Sequence, residues 1–225
     1  MKHGKKYREA LKKYDPAAVL EMKQAVETVK SLSFAKFDET VDVSVKLNLK
    51  KSQTVRDTMT LPHQFRGEKR VLVFCKAEKE NEAKDAGAAF VGGDDLIEKI
   101  KGGWLDFDVA VATPDMMKDV GKLGIVLGRR GLMPNPKTGT VTFDLKGALS
   151  ELKKGRVEFR ADKTGVIHLA IGKVSMDADK IAENAKTVIS EIKRRKPADS
   201  KGDFIQSVSV ASTMGPGVWA SIGND

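Results

Sequence analysis

Two segments of the sequence carry hydroxyl, aromatic and basic side chains in positions that suit contact with a nucleic acid. Residues 207–212 alternate small polar and apolar types, as a half-buried strand does, and they run into Thr213-Met214-Gly215-Pro216. The glycine permits close approach of a nucleic-acid backbone, and the proline ends the strand. Together with residues 34–40, which read Phe-Ala-Lys-Phe-Asp-Glu-Thr, this chemistry suits RNA better than a small metabolite. Taken singly, each segment also fits an ordinary strand end or an ordinary loop.

The charge of the chain also favours a polyanionic partner. The 225 residues carry a net charge of +9, and the length allows one or two domains with cores of their own. Residues 68–159 have a net charge of only +1, so that +8 lies in the two flanking segments. A polyanion is therefore expected to meet the flanking segments first.

Residues that would support catalysis or metal binding are sparse. The three histidines have no spacing typical of metal ligands, and phosphate-loop, dinucleotide-binding and nucleophile-elbow motifs are missing from the sequence. The single cysteine, Cys75, lies in an apolar run and is expected to be a buried core thiol. We therefore predict no enzyme activity, no catalytic residue, no metal site and no cofactor.

The two ends of the chain predict an α+β unit with a mostly antiparallel sheet. Apolar residues alternate with polar ones along 41–49, 157–159, 167–171 and 207–212, which is typical of strands with one buried face. Helices are predicted at about 5–13, 21–32 and 178–195. The last of these has a buried stripe made of Ile181, Ala185, Val188 and Ile192.

The middle of the chain predicts a different architecture. Residues 71–75 and 109–112 are continuous apolar runs, which indicate strands covered on both faces, and helical segments separate the strands between them. The predicted fold is therefore a Rossmann-like parallel α/β domain, residues 68–159, inserted into an α+β domain made from 1–67 and 160–225. Short glycine-bearing crossings near 66–67 and 154–155 are predicted to form a hinge.

Two further basic motifs allow a structural and a functional interpretation. Gly128-Arg129-Arg130-Gly131 resembles the backbone clamp of a KH domain, but the prolines at 134 and 136 disfavour the helix that must follow. A basic loop over 128–137 is predicted instead, with Arg129, Arg130 and Lys137 as secondary phosphate contacts. The run 193–196, Lys-Arg-Arg-Lys, complements the dipole of a helix end.

Several segments, in order along nearly the whole chain, together resemble one family. The matching segments are 35–41, 106–108 with 112–115, 131–137 with 139–141, 155–160, 162–165 and 212–216. In these segments the chain is similar to the bacterial large-subunit ribosomal protein family called L-one, which lies in the mobile stalk. Two positions depart from the family pattern: Arg129 stands where proline is usual, and Asp57 stands where glycine is common.

The resemblance implies a two-domain protein that binds large-subunit ribosomal RNA near the tRNA exit site. It further implies assistance in the release of deacylated tRNA and repression of the protein's own operon through its mRNA. The family's RNA contacts correspond to Lys36, Phe37, Thr40, His168, Lys173, Ser207, Thr213, Met214 and Gly215. The expected partners are therefore ribosomal RNA, exit-site tRNA, the operon mRNA and the large ribosomal subunit. The free protein is expected to be a monomer.

The remaining expectations concern location and rival functions. The sequence has no apolar leader at its start and no run of about 18 apolar residues, so a cytoplasmic, ribosome-associated protein without membrane contact is expected. Two rivals stay open: a nucleotide-dependent enzyme that uses the central domain, and a general RNA chaperone with little preference among RNAs.

Overall fold

The computed structural model describes residues 4–50, 54–65, 67, 69–76, 79–153, 155–197 and 202–222. Packing divides the chain into two units, Met1–Phe65 with Glu158–Asp225, and Arg66–Val157. Both junctions lie two residues before the predicted ones. Arg66 and Lys154, which belong to the predicted hinge crossings, lie outside the described residues.

The first unit is built on a five-stranded sheet with the order β1-β10-β9-β2-β8. Its strands are β1 (Val19–Leu20), β2 (Thr40–Leu47), β8 (Val166–Lys173), β9 (Ile205–Ser212) and β10 (Gly217–Ala220). All neighbouring strands are antiparallel except β1 and β10. A separate two-stranded sheet pairs β3 (Arg56–Thr60) with β7 (Arg156–Arg160).

Two helices cover one face of the large sheet. Helix α2 (Met22–Leu32) and helix α8 (Ala178–Arg194) pack against each other and against the strands, whereas α1 (Lys5–Leu11) buries only Ala10. The predicted stripe of α8 is confirmed, because all four of its residues are buried. Strand β2 buries every second residue from Val41 to Leu47, and the residues between them lie on the uncovered face. We call this uncovered side the open face.

Asn184 is a polar residue buried within the apolar side of α8. Its side-chain amide donates to the carbonyls of His63 and Ile171, and its oxygen accepts the backbone N–H of His63. A fully buried amide is tolerated here because its hydrogen-bonding groups find partners. Asn184 thereby fixes the segment that leaves the first unit after β3.

The second unit contains a parallel three-stranded sheet with the order β5-β4-β6. The strands are β4 (Val71–Phe74), β5 (Phe90–Gly92) and β6 (Val109–Ala112). The helices are α3 (Glu80–Asp85), α4 (Asp94–Lys101), α5 (Met117–Val120), α6 (Gly124–Arg130) and α7 (Leu145–Lys153). Alternate residues of β4 enter two separate hydrophobic clusters, so that both faces of this strand are covered.

The two units confirm the predicted mixture of an α+β part with a mostly antiparallel sheet and a parallel α/β part. Cys75 is buried as expected, and burial raises the pKa of its thiol. Among the described residues, none of the helices is both long enough and apolar enough to cross a membrane.

Candidate nucleic-acid interface

Three strand ends meet at one end of the large sheet in the first unit. Thr40, the first residue of β2, lies opposite Lys173 at the end of β8. Val41 lies opposite Ser212 at the end of β9. The loop before β2 and the turn after β9 therefore belong to the same end of the sheet. We call its outward-facing residues the strand-end surface: Lys36, Phe37, Thr40, Lys173, Thr213 and Met214.

Glu39 holds these segments together from beneath. Its side chain is buried, and its Oε1 accepts the backbone N–H groups of Phe34 (3.2 Å) and Ala35 (2.9 Å). Its Oε2 accepts the backbone N–H of Met214 (3.1 Å). The Glu39 carbonyl accepts the N–H of Val174, directly after β8 (2.9 Å). A single residue thus connects the loop before β2, the turn after β9 and the end of β8.

The carboxylate of Glu39 is stabilised in its charged form. Burial alone would raise the pKa of Glu39, but the neighbouring Ser212 hydroxyl and the backbone N–H donors hold this pKa below its usual value. The Ser212 hydroxyl is itself buried and does not reach the geometry of a full hydrogen bond. The backbone N–H groups are therefore the defined donors to this carboxylate.

Above this buried carboxylate the strand-end surface exposes apolar and basic groups. Phe37 is 56% exposed and Met214 is 51% exposed, which is unusual for large apolar side chains. Lys36 is also exposed and forms no ion pair with any residue that the structure describes. An exposed ring and an exposed thioether side chain beside a lysine suit base or sugar packing with phosphate contact.

Lys173 has an intramolecular partner, in contrast to Lys36. Its Nζ lies 3.6 Å from Oδ2 of Asp38. Asp38 also accepts the hydroxyl (2.9 Å) and the backbone N–H (3.1 Å) of Ser175. The Ser175 hydroxyl is the main cause that lowers the pKa of Asp38, and Lys173 contributes less. Asp38 thus partly neutralises the lysine that is predicted to contact phosphate.

Thr213 uses its hydroxyl within the protein, and its contact with RNA stays a prediction. The Thr213 Oγ1 accepts the backbone N–H of Thr40 (3.0 Å) and lies 3.2 Å from its carbonyl oxygen, to which it donates. The Thr213 N–H donates to the same carbonyl (3.0 Å). The Thr213 side chain therefore links the end of β9 to the start of β2. Removal of its hydroxyl is expected to affect folding as well as RNA binding.

Gly215 also has an internal reason for being glycine. A Cβ atom at this position would stand 2.4 Å from the Ser212 hydroxyl oxygen. Its backbone φ lies outside the left-handed region, so this close approach is the constraint that the structure shows. The interpretation that glycine is needed there only for approach of a nucleic-acid backbone is incomplete.

His168 and Ser207 lie away from the strand-end surface, on the open face. The Nδ1 of His168 shares a hydrogen bond with the Ser44 hydroxyl (2.9 Å), four residues along β2 from Thr40. Ser207 lies opposite Lys46, a further two residues along β2, which places it roughly 20 Å from Thr40. The predicted contacts therefore extend from one end of the open face towards the other.

The secondary basic motif is part of a helix, which corrects the predicted loop. Helix α6 ends with Gly128, Arg129 and Arg130, and it is capped by Gly131, whose φ of 70° is left-handed. Leu127 is fully buried, and this packing keeps the preceding turn helical. Lys137 follows in a short 3₁₀ turn, Pro136–Thr138. The two arginines lie in the last helical turn, where cations complement the helix dipole.

A profile of the ribosomal protein L1p/L10e family matches residues 29–216. The chain belongs to this family. It is 69% identical to "Large ribosomal subunit protein uL1" of Treponema denticola, over 97% of each chain. The identity is 62% to the protein of that name from Treponema pallidum strain Nichols, with 97% of each chain covered. It is 61% to the one from Borrelia duttonii, over 96% of this chain and 97% of the relative.

Membership in the L1p/L10e family confirms the predicted resemblance. It also confirms the prediction that the chain is a ribosomal protein, which serves translation as a structural component, and is not an enzyme. Within the described part of the chain, no group of three or more His, Cys, Asp or Glu residues is arranged to hold a metal ion.

The sequence did not identify the residues that support the strand-end surface of this family member. Glu39 and Asp38 lie inside the segment 35–41 that carries the resemblance, but they were not predicted as site residues. The available signal was the pair of carboxylates that follows Lys36 in a segment for which RNA contact is predicted, since a carboxylate there needs a reason other than phosphate contact. Ser175 and Ser212 gave no such signal.

Proposed function

We propose that this protein is a structural component of the large ribosomal subunit in the cytoplasm, bound to large-subunit ribosomal RNA through the strand-end surface and the open face. The names of its relatives support assembly into the large subunit. The observation that carries the proposed site is the convergence on Glu39, which fixes the loop of Lys36 and Phe37 beside the turn of Met214.

The chemistry of the surface suits a folded RNA. Lys36 would contact a phosphate, while Phe37 and Met214 would pack against a sugar or a base. The hydroxyls of Ser44, Ser207 and Ser209 on the open face would pair with 2′-hydroxyl groups. Because Glu39 fixes the backbone on both sides, little ordering cost would remain at binding.

The first unit is proposed as the RNA-binding domain, and the second as an inserted domain with a lesser role. The flanking segments carry most of the positive charge, and all residues of the strand-end surface lie in the first unit. Arg129, Arg130 and Lys137 are retained as proposed secondary contacts of the second unit, with the arginines presented from a helix end.

The finer functions follow from the resemblance and rest on it. On the mobile stalk the protein would assist release of deacylated tRNA from the exit site. A surface that recognises the shape of one folded RNA also binds an mRNA of similar shape, which would allow repression of its own operon.

The rival enzyme would require a nucleotide in the second unit, and a dialysed sample would then absorb excess light near 260 nm.

The proposal is tested by crosslinking the protein to total cellular RNA and mapping both partners. We expect crosslinks from peptides 34–40 and 213–216 to a single region of large-subunit ribosomal RNA. Crosslinks spread evenly over unrelated RNAs would instead support the general RNA chaperone. Crosslinks confined to peptides of residues 66–157 would contradict the assignment of RNA binding to the first unit.

A further inference from the structure

A groove lies in the first unit at the end of the large sheet opposite to the strand-end surface. Its volume is about 670 Å³, and it is bordered by the segment after β2, by the end of β7 and by the turn before β8. Of the lining residues that the structure describes, Lys50, Arg160 and Lys163 are basic, and Asp162 is acidic. The groove therefore has an excess of positive charge.

The carboxylate of Asp162 is occupied within the turn. Its Oδ1 accepts the backbone N–H groups of Thr164 and Val166 (both 2.8 Å), and the Thr164 hydroxyl lies 2.7 and 2.8 Å from the two carboxylate oxygens. The Val166 N–H is the main cause that lowers the pKa of Asp162, and the Thr164 hydroxyl follows. Asp162 thus fixes the shape of the turn, and in the described part of the chain it forms no ion pair with the cations beside it.

Two of the basic side chains have no partner among the residues that the structure describes. Arg160 and Lys163 are exposed, and neither forms an ion pair or a side-chain hydrogen bond there. The acidic residue two positions before Arg160, Glu158, pairs instead with Arg56 on β3 (2.6 Å). At the other end of β7, Arg156 pairs with Glu151. Arginines that stabilise this part of the fold are therefore paired, and Arg160 is left without such a role.

Lys46 connects the groove to the open face. Its Nζ donates to the carbonyl of Thr164, which lines the groove. In the sheet, Lys46 lies opposite Ser207 and two residues from Ser44, the partner of His168. Six residues of β2 separate Lys46 from Thr40, which corresponds to roughly 20 Å. The strand-end surface and the groove thus lie at the two ends of one continuous face.

We infer that the groove is a second phosphate-binding site for the same ribosomal RNA that contacts the strand-end surface, with Arg160 and Lys163 as the contacts. The inference rests on the proposed function and deepens it, because the RNA must be long enough to reach both ends of the face. The guanidinium of Arg160 offers a planar pair of donors that matches phosphate oxygens. Two separated phosphate contacts would fix the orientation of the RNA without reading its bases.

An acidic protein segment could also satisfy two cations. The face between the two ends favours RNA, because Ser44, Ser207 and Ser209 present hydroxyls that suit 2′-hydroxyl groups.

The first test maps the RNA near each end of the face, with the full chain and deproteinised large-subunit ribosomal RNA. Cysteine is introduced singly as Lys163→Cys, Lys36→Cys or Lys186→Cys and is coupled to an iron chelate that cleaves nearby RNA. The native Cys75 is buried and should not take the label. With protein in excess, we expect the chelates at 163 and 36 to cleave two separate tracts of one ribosomal RNA region. Lys186 is exposed on α8, which covers the other face of the sheet, so its chelate should cleave neither tract.

The second test measures how the two cations contribute to the salt dependence of binding. Arg160→Gln and Lys163→Gln should each lower the slope of log affinity against log salt by about 0.9, and together by about 1.8, for double-stranded RNA. Lys186→Gln is the matched control and should leave the slope unchanged. The melting temperature should stay the same in all variants, because neither groove cation has an internal partner. A lower melting temperature with an unaltered slope would overturn the inference.

The mapping has further outcomes that would overturn the inference. Cleavage from position 163 may be absent, or may fall on the same tract as cleavage from position 36, and either result would exclude a second contact. Cleavage of added deacylated tRNA alone would show that the groove binds a different RNA molecule. An acidic protein segment as the natural ligand would leave the salt slope of all groove variants unaltered.

Failure of this inference is distinguishable from failure of the proposed function. If Lys36→Ala weakens binding of large-subunit ribosomal RNA while Arg160→Gln and Lys163→Gln change nothing, only the groove is refuted. If the wild-type protein does not bind large-subunit ribosomal RNA, the proposed function is refuted and the inference about the groove is refuted with it.

Discussion

The buried carboxylate of Glu39 accepts the backbone N–H of Met214, a residue 175 positions further along the chain. The same carboxylate accepts two N–H groups of the loop that carries Lys36 and Phe37. This relationship makes Glu39 a positioning residue, since its side chain is buried and cannot itself contact RNA. It also gives Glu39 a structural role beside the lysines of the strand-end surface.

Glu39→Gln is expected to weaken both folding and RNA binding. A glutamine offers one acceptor oxygen and places an NH₂ donor opposite another N–H donor. The loss of charge-assisted hydrogen bonds at a buried site should cost about 2–3 kcal/mol of unfolding free energy. Binding of large-subunit ribosomal RNA should fall at temperatures where the variant is still folded. Glu27→Gln, on the exposed side of α2, is the matched control and should change neither quantity.

The pH dependence of stability should carry the signature of Glu39. Its pKa in the folded protein lies below the usual value of 4.5, so its stabilising contribution is complete above 4.5 and is lost as the pH falls through the lowered folded pKa. The stability difference between wild type and Glu39→Gln should therefore shrink on acidification from pH 6 to pH 3. Asp38 and Asp162 also have lowered pKa values, but they contribute equally to the stability of both proteins, so their effects cancel in the difference. Urea unfolding at several pH values measures the difference, and a constant difference would contradict the assignment.

Mutation of Lys36 should change RNA binding without changing the stability of the protein. Lys36 forms no ion pair with the described residues, so Lys36→Ala should lower the salt slope of RNA binding by about one and leave the melting temperature unchanged. Titrations at four salt concentrations, with calorimetry of the free protein, decide the matter. A lower melting temperature with an unaltered slope would show that Lys36 is structural.

Asp38 restrains Lys173, and its removal is expected to strengthen RNA binding. Asp38→Asn keeps an acceptor for Ser175 and removes the charge 3.6 Å from the Lys173 ammonium. Affinity for RNA should rise several-fold, whereas Lys173→Ala should reduce it. Both groups are partly exposed, so each change in unfolding free energy should stay below about 1 kcal/mol. An unchanged affinity in both variants would remove Lys173 from the interface.

The sequence allowed correct prediction of the features that depend on periodicity. Alternation along β2 and the stripe of α8 identified their buried faces, because burial repeats with the geometry of each element. The side chains at turns could not be predicted in the same way. Thr213 bonds to Thr40 across strands far apart in sequence, and no local pattern shows where such a hydroxyl points. The helical state of residues 128–130 was missed because they were assigned to a basic loop over 128–137, whereas burial of Leu127 stabilises the helix.

The close approach of Gly215 to Ser212 allows a double-mutant test of why glycine stands in this turn. In Gly215→Ala the new Cβ would meet the Ser212 hydroxyl, which lies against the Glu39 carboxylate, so relief by rotation of Ser212 would disturb that site. We expect a loss of stability on the order of 1–2 kcal/mol. Ser212→Ala alone should cost less than Gly215→Ala, because its buried hydroxyl favours the charged Glu39 but has no full hydrogen bond to lose.

The double variant, Ser212→Ala with Gly215→Ala, should recover most of the stability lost in Gly215→Ala, because the clashing oxygen is gone. RNA affinity measured on the stabilised double variant then separates the two roles of the glycine. Recovery of affinity together with stability would show that Gly215 serves the internal packing of the turn. Recovered stability with affinity still reduced would show that RNA also approaches the backbone at this glycine. If stability is not recovered, the contact with Ser212 is not the constraint on this position.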